Sequence, residues 1–362
     1  MPTIGTKIYW TAACASSRTE LLARLLERLQ THGAVFGDVP ANNFAEDGLG
    51  ARRQGWLDEA EIVVAEVSGA SADVGAEVFY ALHKRRVPTL CLVERGTRVG
   101  MLTNPHPLLT TVEYGSEAEA AEAIDNFASP PVVPGRIFVV EGGDGAGKQT
   151  QSAMLRERLT REGYPVATMD FPHDAAMHGK LIRELLSGSM GDIKAVNPLL
   201  FASLYAENRF DVGPILRCWL RRGCNVILDR YMEANFGHQA SKLPPDERPA
   251  LIDALSTFEH VWLSLPRAHR VTYLDLPPQE ALKAMAGDAS RAALDIHETA
   301  GADYKNAVRD TFVWCAERFD HWQRVPCVDE AGERISKQDL SDSLYASLQS
   351  EFVNKGAAEK TA

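Results

Sequence analysis

The chain has 362 residues, of which 45% are hydrophobic and 24% charged, an ordinary balance for a globular protein. Its length calls for two or three domains rather than one. A formal net charge of −11 excludes a general nucleic-acid or membrane-surface binder, so any anionic ligand has to meet cations gathered locally.

Residues 1–129 alternate strand and helix signals. A short strand-like run at 7–10 leads into a helix whose apolar face is Leu21, Leu22, Leu25, Leu26 and Leu29, with Ser16 or Ser17 as its N-cap. Residues 40–50 read as a polar, glycine-containing loop. A strand at 62–65, a helix with Val74, Val78 and Leu82 inward, and a strand at 88–93 follow. This alternation predicts an α/β domain with a Rossmann-like parallel sheet covered on both faces. Function in such sheets gathers beyond the carboxyl ends of the strands. Here that region is 66–77, with Ser68 and Ser71 in a loop and Glu77 in the first turns of the next helix.

Three prolines among residues 129–135 cannot continue a helix, which makes 130–135 a semi-rigid connector. A second domain at 136–353 opens with an apolar run, residues 137–141, followed by Gly142, Gly143, Asp144, Gly145, Ala146, Gly147, Lys148, Gln149 and Thr150, then a helix-like run. Strand, glycine loop and helix form a phosphate cradle: glycines let several N–H groups face one anion, and the helix N-terminus adds partial positive charge. Lys148 then reaches the outer phosphates of a triphosphate such as ATP. Gln149 stands where Ser or Thr commonly reaches the metal, and Thr150 is the neighbouring hydroxyl.

Further strands are expected at 165–171, 225–229 and 270–276, with a long helix at 197–222 and a polar tail at 354–362. The order is that of a P-loop kinase. Tyr205 and Arg209 lie four apart on the long helix, hence on one face, and pair a ring for stacking with a guanidinium for phosphate. Asn235 and Gln239 repeat that spacing with hydrogen-bonding amides. The six cysteines show no C-x-x-C spacing and sit partly in apolar runs, so buried thiols are expected. No signal-peptide pattern and no apolar run near ~20 residues is visible, which suits a reduced cytoplasmic setting.

Glu141 to Lys148, Phe171 with Pro172, the Tyr205–Arg209 pair, Asp229, Arg230 and Tyr231, and Asp295 to Glu298 with Tyr304 together resemble the thymidylate (dTMP) kinases over about residues 136–350. The resemblance implies a P-loop nucleoside monophosphate kinase fold, ATP as donor with Mg2+, dTMP as acceptor, and a homodimer. It places Asp144 near the acceptor sugar and phosphate, Tyr205 on thymine, and Arg209 and Arg230 on the acceptor phosphate. Phe171, Asn235, Gln239 and Tyr304 line the acceptor pocket. Asp229 is then linked to magnesium, with Thr150 as the hydroxyl near it. Some members carry an arginine inside the P-loop; Gly145 and Ala146 leave none here, so Arg291 in a candidate lid at 287–295 is expected to compensate.

Residues 66–77, with 60–65, Trp56 and Leu57 ahead of them, resemble the 2′-deoxynucleoside 5′-phosphate N-hydrolases, relatives of the nucleoside deoxyribosyltransferases, over most of 6–127. That resemblance makes Glu77 the nucleophile at the sugar C1′ and Ser71 the holder of the 5′-phosphate, with Ser68 beside it. The phosphate-gripping first loop of that family is replaced by residues 12–17, with Arg18 later than expected. Arg53 stands where the family has an aspartate, with Asp47 and Asp58 nearby. The combined expectation is a dTMP kinase carrying a deoxynucleotide N-glycosidase. The alternative is a kinase for another deoxynucleoside monophosphate, dUMP, with an inactive nucleotide-binding first domain.

Overall fold

The computed structural model describes residues 6–13, 18–37, 49–99, 106–129, 133–191, 197–281 and 302–356. The chain divides into two compact units between Val132 and Val133.

The first unit runs β1 (Thr6–Ala12), α1 (Thr19–Gln30), β2 (Gly33–Phe36), α2 (Leu49–Glu59), β3 (Ile62–Glu66), α3 (Ala72–Phe79), β4 (Thr89–Glu94), β5 (Leu109–Tyr114) and α4 (Glu117–Ala128). Its five strands are parallel in the order β2-β1-β3-β4-β5. The period-2 alternation of a strand sends Ile8, Trp10 and Ala12 to a core shared with Leu22, Leu25 and Leu29 of α1 and Ile124 of α4. Tyr9 and Val63 face the other way, onto Leu57 and Ala81. Ser71 caps α3 by accepting the Val74 N–H at 3.3 Å. The N-cap of α1 is Arg18, which makes no side-chain capping bond, so the expected serine cap is not the one used; Ser16 and Ser17 lie outside the described residues. The loop expected at 40–50 ends earlier, because α2 already begins at Leu49.

The second unit runs β6 (Arg136–Gly142), α5 (Lys148–Arg161), β7 (Val166–Asp170), α6 (Met177–Leu186), α7 (Pro198–Arg221), β8 (Asn225–Asp229), α8 (Glu233–His238), α9 (Arg248–Thr257), β9 (Arg270–Asp275), α10 (Ala302–Arg318), β10 (Trp322–Pro326) and α11 (Lys337–Leu348). Its parallel sheet has the order β10-β9-β6-β8-β7. Ile137 and Val139 of β6 pack with Val212 and Leu216 of α7 and Phe312 of α10; Phe138 and Val140 pack with Leu155 and Leu159 of α5 and Leu344 of α11. Fully burying such side chains contributes about 1.5–3 kcal/mol each before chain entropy is subtracted. Asn197 caps α7 by accepting the Leu199 N–H at 2.9 Å, and Pro198 supplies the preset first turn. Because β6 lies between β8 and β9, the chain reverses its winding direction there, and the crevice beyond the carboxyl end of β6 is the natural ligand position.

Candidate functional site

The loop after β6 occupies that crevice. Gly145 and Gly147 adopt φ of +77° and +90°, a backbone that a side chain would strain, and Gly147 is the N-cap of α5 with no side chain capping the helix. The first-turn amides of α5 therefore form an anion site. Lys148 folds over the loop, its Nζ 3.0 Å from the Gly143 carbonyl. Burial and the neighbouring Arg230 lower the Lys148 pKa, against the pull of Asp144, Asp229 and Glu141.

Arg230, directly after β8, has a left-handed φ of +64°, a conformation costly for a residue with a side chain and held here by its surroundings. Its Nη2 donates to Asp144 Oδ1 at 2.7 Å, and its Nη1 to Glu141 Oε1 at 3.3 Å and His238 Nε2 at 2.9 Å. Since a guanidinium can only donate, His238 Nε2 accepts and Nδ1 carries the proton toward the Tyr304 hydroxyl, 3.1 Å away. Burial opposes the Arg230 charge, but Glu141, Asp144 and Asp229 outweigh it and raise the pKa above the ordinary arginine value. The result is a fixed cation at the mouth of a cavity.

That cavity, about 210 Å³, is bounded by Asp144, Phe171, Pro172, Arg183, Leu186, Tyr205, Arg209, Arg230, Tyr231, Ala234, Asn235, His238 and Gln239. Its three arginines are each paired with a carboxylate: Arg183 with Asp174, Arg209 with Glu259, and Arg230 with Asp144 and Glu141. The Phe171–Pro172 peptide is cis, and Asn208 of α7 fixes the turn after it, accepting the His173 N–H at 2.7 Å and donating to the His173 carbonyl at 3.0 Å. Tyr205 is half-buried, its ring edge-to-face with Phe201 at 5.2 Å.

Seven residues expected at an acceptor pocket (Asp144, Phe171, Tyr205, Arg209, Arg230, Asn235 and Gln239) line this one cavity. Tyr304 does not; it lines a neighbouring cavity with Gly143, Asp144, His238 and Arg309, and meets the first through His238. Arg209 is 1% exposed and grips Glu259 with two nitrogens (Nε to Oε2 at 2.6 Å) while Nη1 donates to the Tyr231 carbonyl at 3.2 Å. The Asn235 amide donates inward, to Ala202 O and Glu259 Oε1, both at 3.3 Å, and Gln239 Oε1 accepts from Lys242 Nζ at 2.7 Å. Arg291 lies outside the described residues.

Sequence reasoning missed His238, Arg183 and Glu259, and named Glu141 only as the first residue of the loop motif, without a role. His238 was accessible in principle, standing three residues after Asn235 on the same short helix. Glu141 and Glu259 act from behind the arginines, and only the fold brings them there.

Asp229 ends β8 directly opposite Asp170 of β7 in the strand register. Burial, and after it the Asp170 charge, raise its carboxyl pKa against Lys148 and Arg230. Two adjacent carboxylates, one of them disfavoured as a bare anion, with Thr150 on the first turn of α5, fit a hard divalent cation with oxygen ligands. Among the described residues no group of three or more His, Cys, Asp or Glu side chains forms a self-sufficient metal site. Nor is any described helix long and apolar enough to cross a membrane.

In the first unit, Ala12 and Glu66 face each other where β1 and β3 end. Glu66 is fully buried; its Oε1 accepts from Arg18 at 3.1 Å, Tyr114 at 2.9 Å, and both the amide and hydroxyl of Ser68. Ser68 Oγ also accepts the Glu94 N–H at 2.7 Å. Burial first, and then Glu66, push the Tyr114 hydroxyl up to about 12. Glu77 is 8% exposed: Oε1 accepts from Arg53 at 3.3 Å, while Oε2 is buried without a hydrogen-bond partner. Asp58 is drawn instead to Tyr80, at 2.8 Å, and to Arg85; Asp47 lies outside the described residues.

A family model described as Thymidylate kinase matches residues 140–325. "Thymidylate kinase" of Clavibacter sepedonicus is 34% identical over 190 residues, covering 51% of this chain and 85% of that protein. "Probable thymidylate kinase" of Thermococcus onnurineus is 31% identical over 227 residues, covering 60% of this chain and 100% of its own length. A solved thymidylate kinase from Candida albicans aligns with a TM-score of 0.47 and 19% identity over 60% of this chain and 92% of that one.

Proposed function

The chain belongs to the thymidylate kinase family, and on that premise we propose that its second unit transfers the γ-phosphoryl group of ATP to dTMP, giving dTDP. The observation that carries this is the Arg230 knot: a guanidinium pinned by Asp144, Glu141 and His238 at the junction of the phosphate loop and a cavity bearing Tyr205. In this reading Gly142 to Thr150 hold ATP, and Lys148 reaches its outer phosphates. Tyr205 stacks on the base, and Arg230 aligns the acceptor phosphate. Phosphoryl transfer asks the protein mainly for in-line positioning and for positive charge near the transferring group, which these residues supply. Arg209, held by Glu259, serves as a fixed wall of the cavity. Asp229 and Thr150 are the residues that would hold Mg2+, which supplies charge neutralisation on the phosphates when bound. Arg291 is proposed as the lid cation. A homodimer fits the exposed apolar side chains Leu199, Leu200 and Phe210 on α7.

The test is a panel of deoxynucleoside monophosphates incubated with magnesium–ATP and the full chain, with products separated by chromatography. The expected product is dTDP from dTMP, formed only with ATP. dUDP formed in preference to dTDP would overturn the acceptor in favour of dUMP.

For the first unit we infer hydrolysis of the N-glycosidic bond of a deoxynucleoside 5′-monophosphate, with Glu77 as nucleophile and Ser71 near the phosphate, while Ser68, held between Glu66 and the Glu94 N–H, supports the loop. The unpartnered, buried Glu77 Oε2 favours it, since a nucleophilic carboxylate needs one oxygen uncommitted while the other is held, here by Arg53. Free base should appear without ATP and vanish in Glu77→Gln while dTDP formation continues. Free base that persists in Glu77→Gln, or never forms, would contradict it.

A further inference from the structure

Behind the phosphate loop, the segment between β10 and α11 folds back as a tight hairpin. Val328 pairs antiparallel with Arg334, and Asp329 closes the turn through its own amide to Glu333 O at 2.8 Å. The hairpin meets the loop through Arg334, and the start of α11 that follows it meets α5. Arg334 Nη2 donates to the Gly145 carbonyl at 2.6 Å, and the buried Gln151 of α5 donates to the Lys337 carbonyl at 3.0 Å. On the other end of the same peptide unit, the Ala146 N–H donates to Gly143 O at 3.3 Å. The Gly145–Ala146 peptide is thus held at its oxygen by the hairpin and at its nitrogen by the loop itself. Gly145 has the freest backbone of any residue type and sits at φ of +77°, so without such a hold the loop would spend entropy to meet a triphosphate.

We propose that Arg334 is a positioning residue for the phosphoryl donor, a magnesium-complexed nucleoside triphosphate. It sets the Gly145–Ala146 peptide from outside the loop and adds a second cation beside Lys148. The loop itself offers only Lys148 as a cationic side chain, and the hairpin delivers the other from 189 residues further along the chain. Arg334 is exposed and is not among the residues that line the acceptor cavity. This inference rests on the kinase reading of the second unit.

The experiment uses the full chain, with ATP binding measured by titration calorimetry in the absence of any acceptor, and KM for ATP and for dTMP measured separately. Arg334→Ala should weaken ATP about tenfold, as expected for loss of a charge-assisted hydrogen bond, and leave dTMP within about twofold. Arg334→Lys should recover part of the ATP affinity, because the ammonium keeps the charge and one donor but not the planar fork. Unchanged ATP affinity in Arg334→Ala, or equal weakening of ATP and dTMP, would overturn the proposal. The binding arm needs no acceptor, so a wild-type chain that binds ATP yet leaves dTMP unphosphorylated contradicts the acceptor reading alone.

Discussion

Both units place arginine–carboxylate pairs at the carboxyl ends of a five-stranded parallel sheet, yet they use them differently. In the second unit Arg230 is the hub: one cation is shared among Asp144, Glu141 and His238, and its exposed edge faces a cavity. In the first unit Glu66 is the hub, and its surroundings turn inward. One of its oxygens takes Arg18, Tyr114 and both donors of Ser68. A cation-centred knot at a cavity mouth suits an anionic substrate, whereas an anion-centred knot around a fully buried carboxylate holds loops together. The same chemical parts, with the sign of the central charge exchanged, separate a binding site from a structural one.

The largest effect expected on that contrast comes from Glu259. Glu259→Ala leaves Arg209 buried without its carboxylate, and should lower stability by about 3–5 kcal/mol, read as a drop in the denaturant midpoint at unchanged slope. A loss below ~1 kcal/mol would show that Arg209 finds another partner or water, and would return it to the list of mobile phosphate ligands. Next in size, Glu66→Ala should cost about 2–4 kcal/mol through the acceptor lost by Tyr114 and Ser68, Arg18 keeping Glu94, with dTDP formation unaffected. Kinase activity lost without any loss of stability would break the assignment of Glu66 as structural.

The smallest effect is a pH dependence. Glu233, in α8, is fully buried with Oε2 unpartnered, and its carboxyl is pushed up to about 8, chiefly by burial and then by Glu141 and Glu259. Its ordinary value is 4.5, so between there and about 8 the folded state keeps a proton that the unfolded chain releases. Stability from this group is therefore full at acid pH and declines as pH rises through that window, by at most about 1.4 kcal/mol per unit. Glu233→Gln should flatten the decline, so that its melting temperature gains on the wild type between pH 6 and pH 8, a window of about two units. Parallel curves would place a charged partner beside Glu233.

Much of the architecture was legible in sequence because period and punctuation agreed. The strands at 62–66 and 225–229 are built on apolar runs, 62–65 and 226–228, and the long helix from Pro198 carries its Asn197 cap in plain sight. What stayed hidden had weak periodicity. β2 is four residues and half-exposed, and β5 carries threonines and a glutamate on a largely exposed edge. The phosphate loop and the cavity walls could be read because their spacing reflects a helix face or a strand end. The anchors behind them, Glu141, Glu259 and Arg334, could not, because they are set by tertiary contacts across up to 189 residues. The serine cap of α1 failed for a related reason: Arg18 stands at that position and is drawn to Glu66 rather than to its own helix.

The measurement that bears most directly on the central claim is ATP-dependent dTDP formation by the wild-type chain and by Arg230→Ala, each checked for its melting temperature. The account predicts turnover with the wild type and a loss of about 10²–10³-fold in the variant, assayed well below a melting temperature that falls because Glu141 loses its buried cation, as for removal of one preorganised cation from a phosphoryl-transfer site. Equal turnover in the two chains, or no dTDP from the wild type, would contradict it.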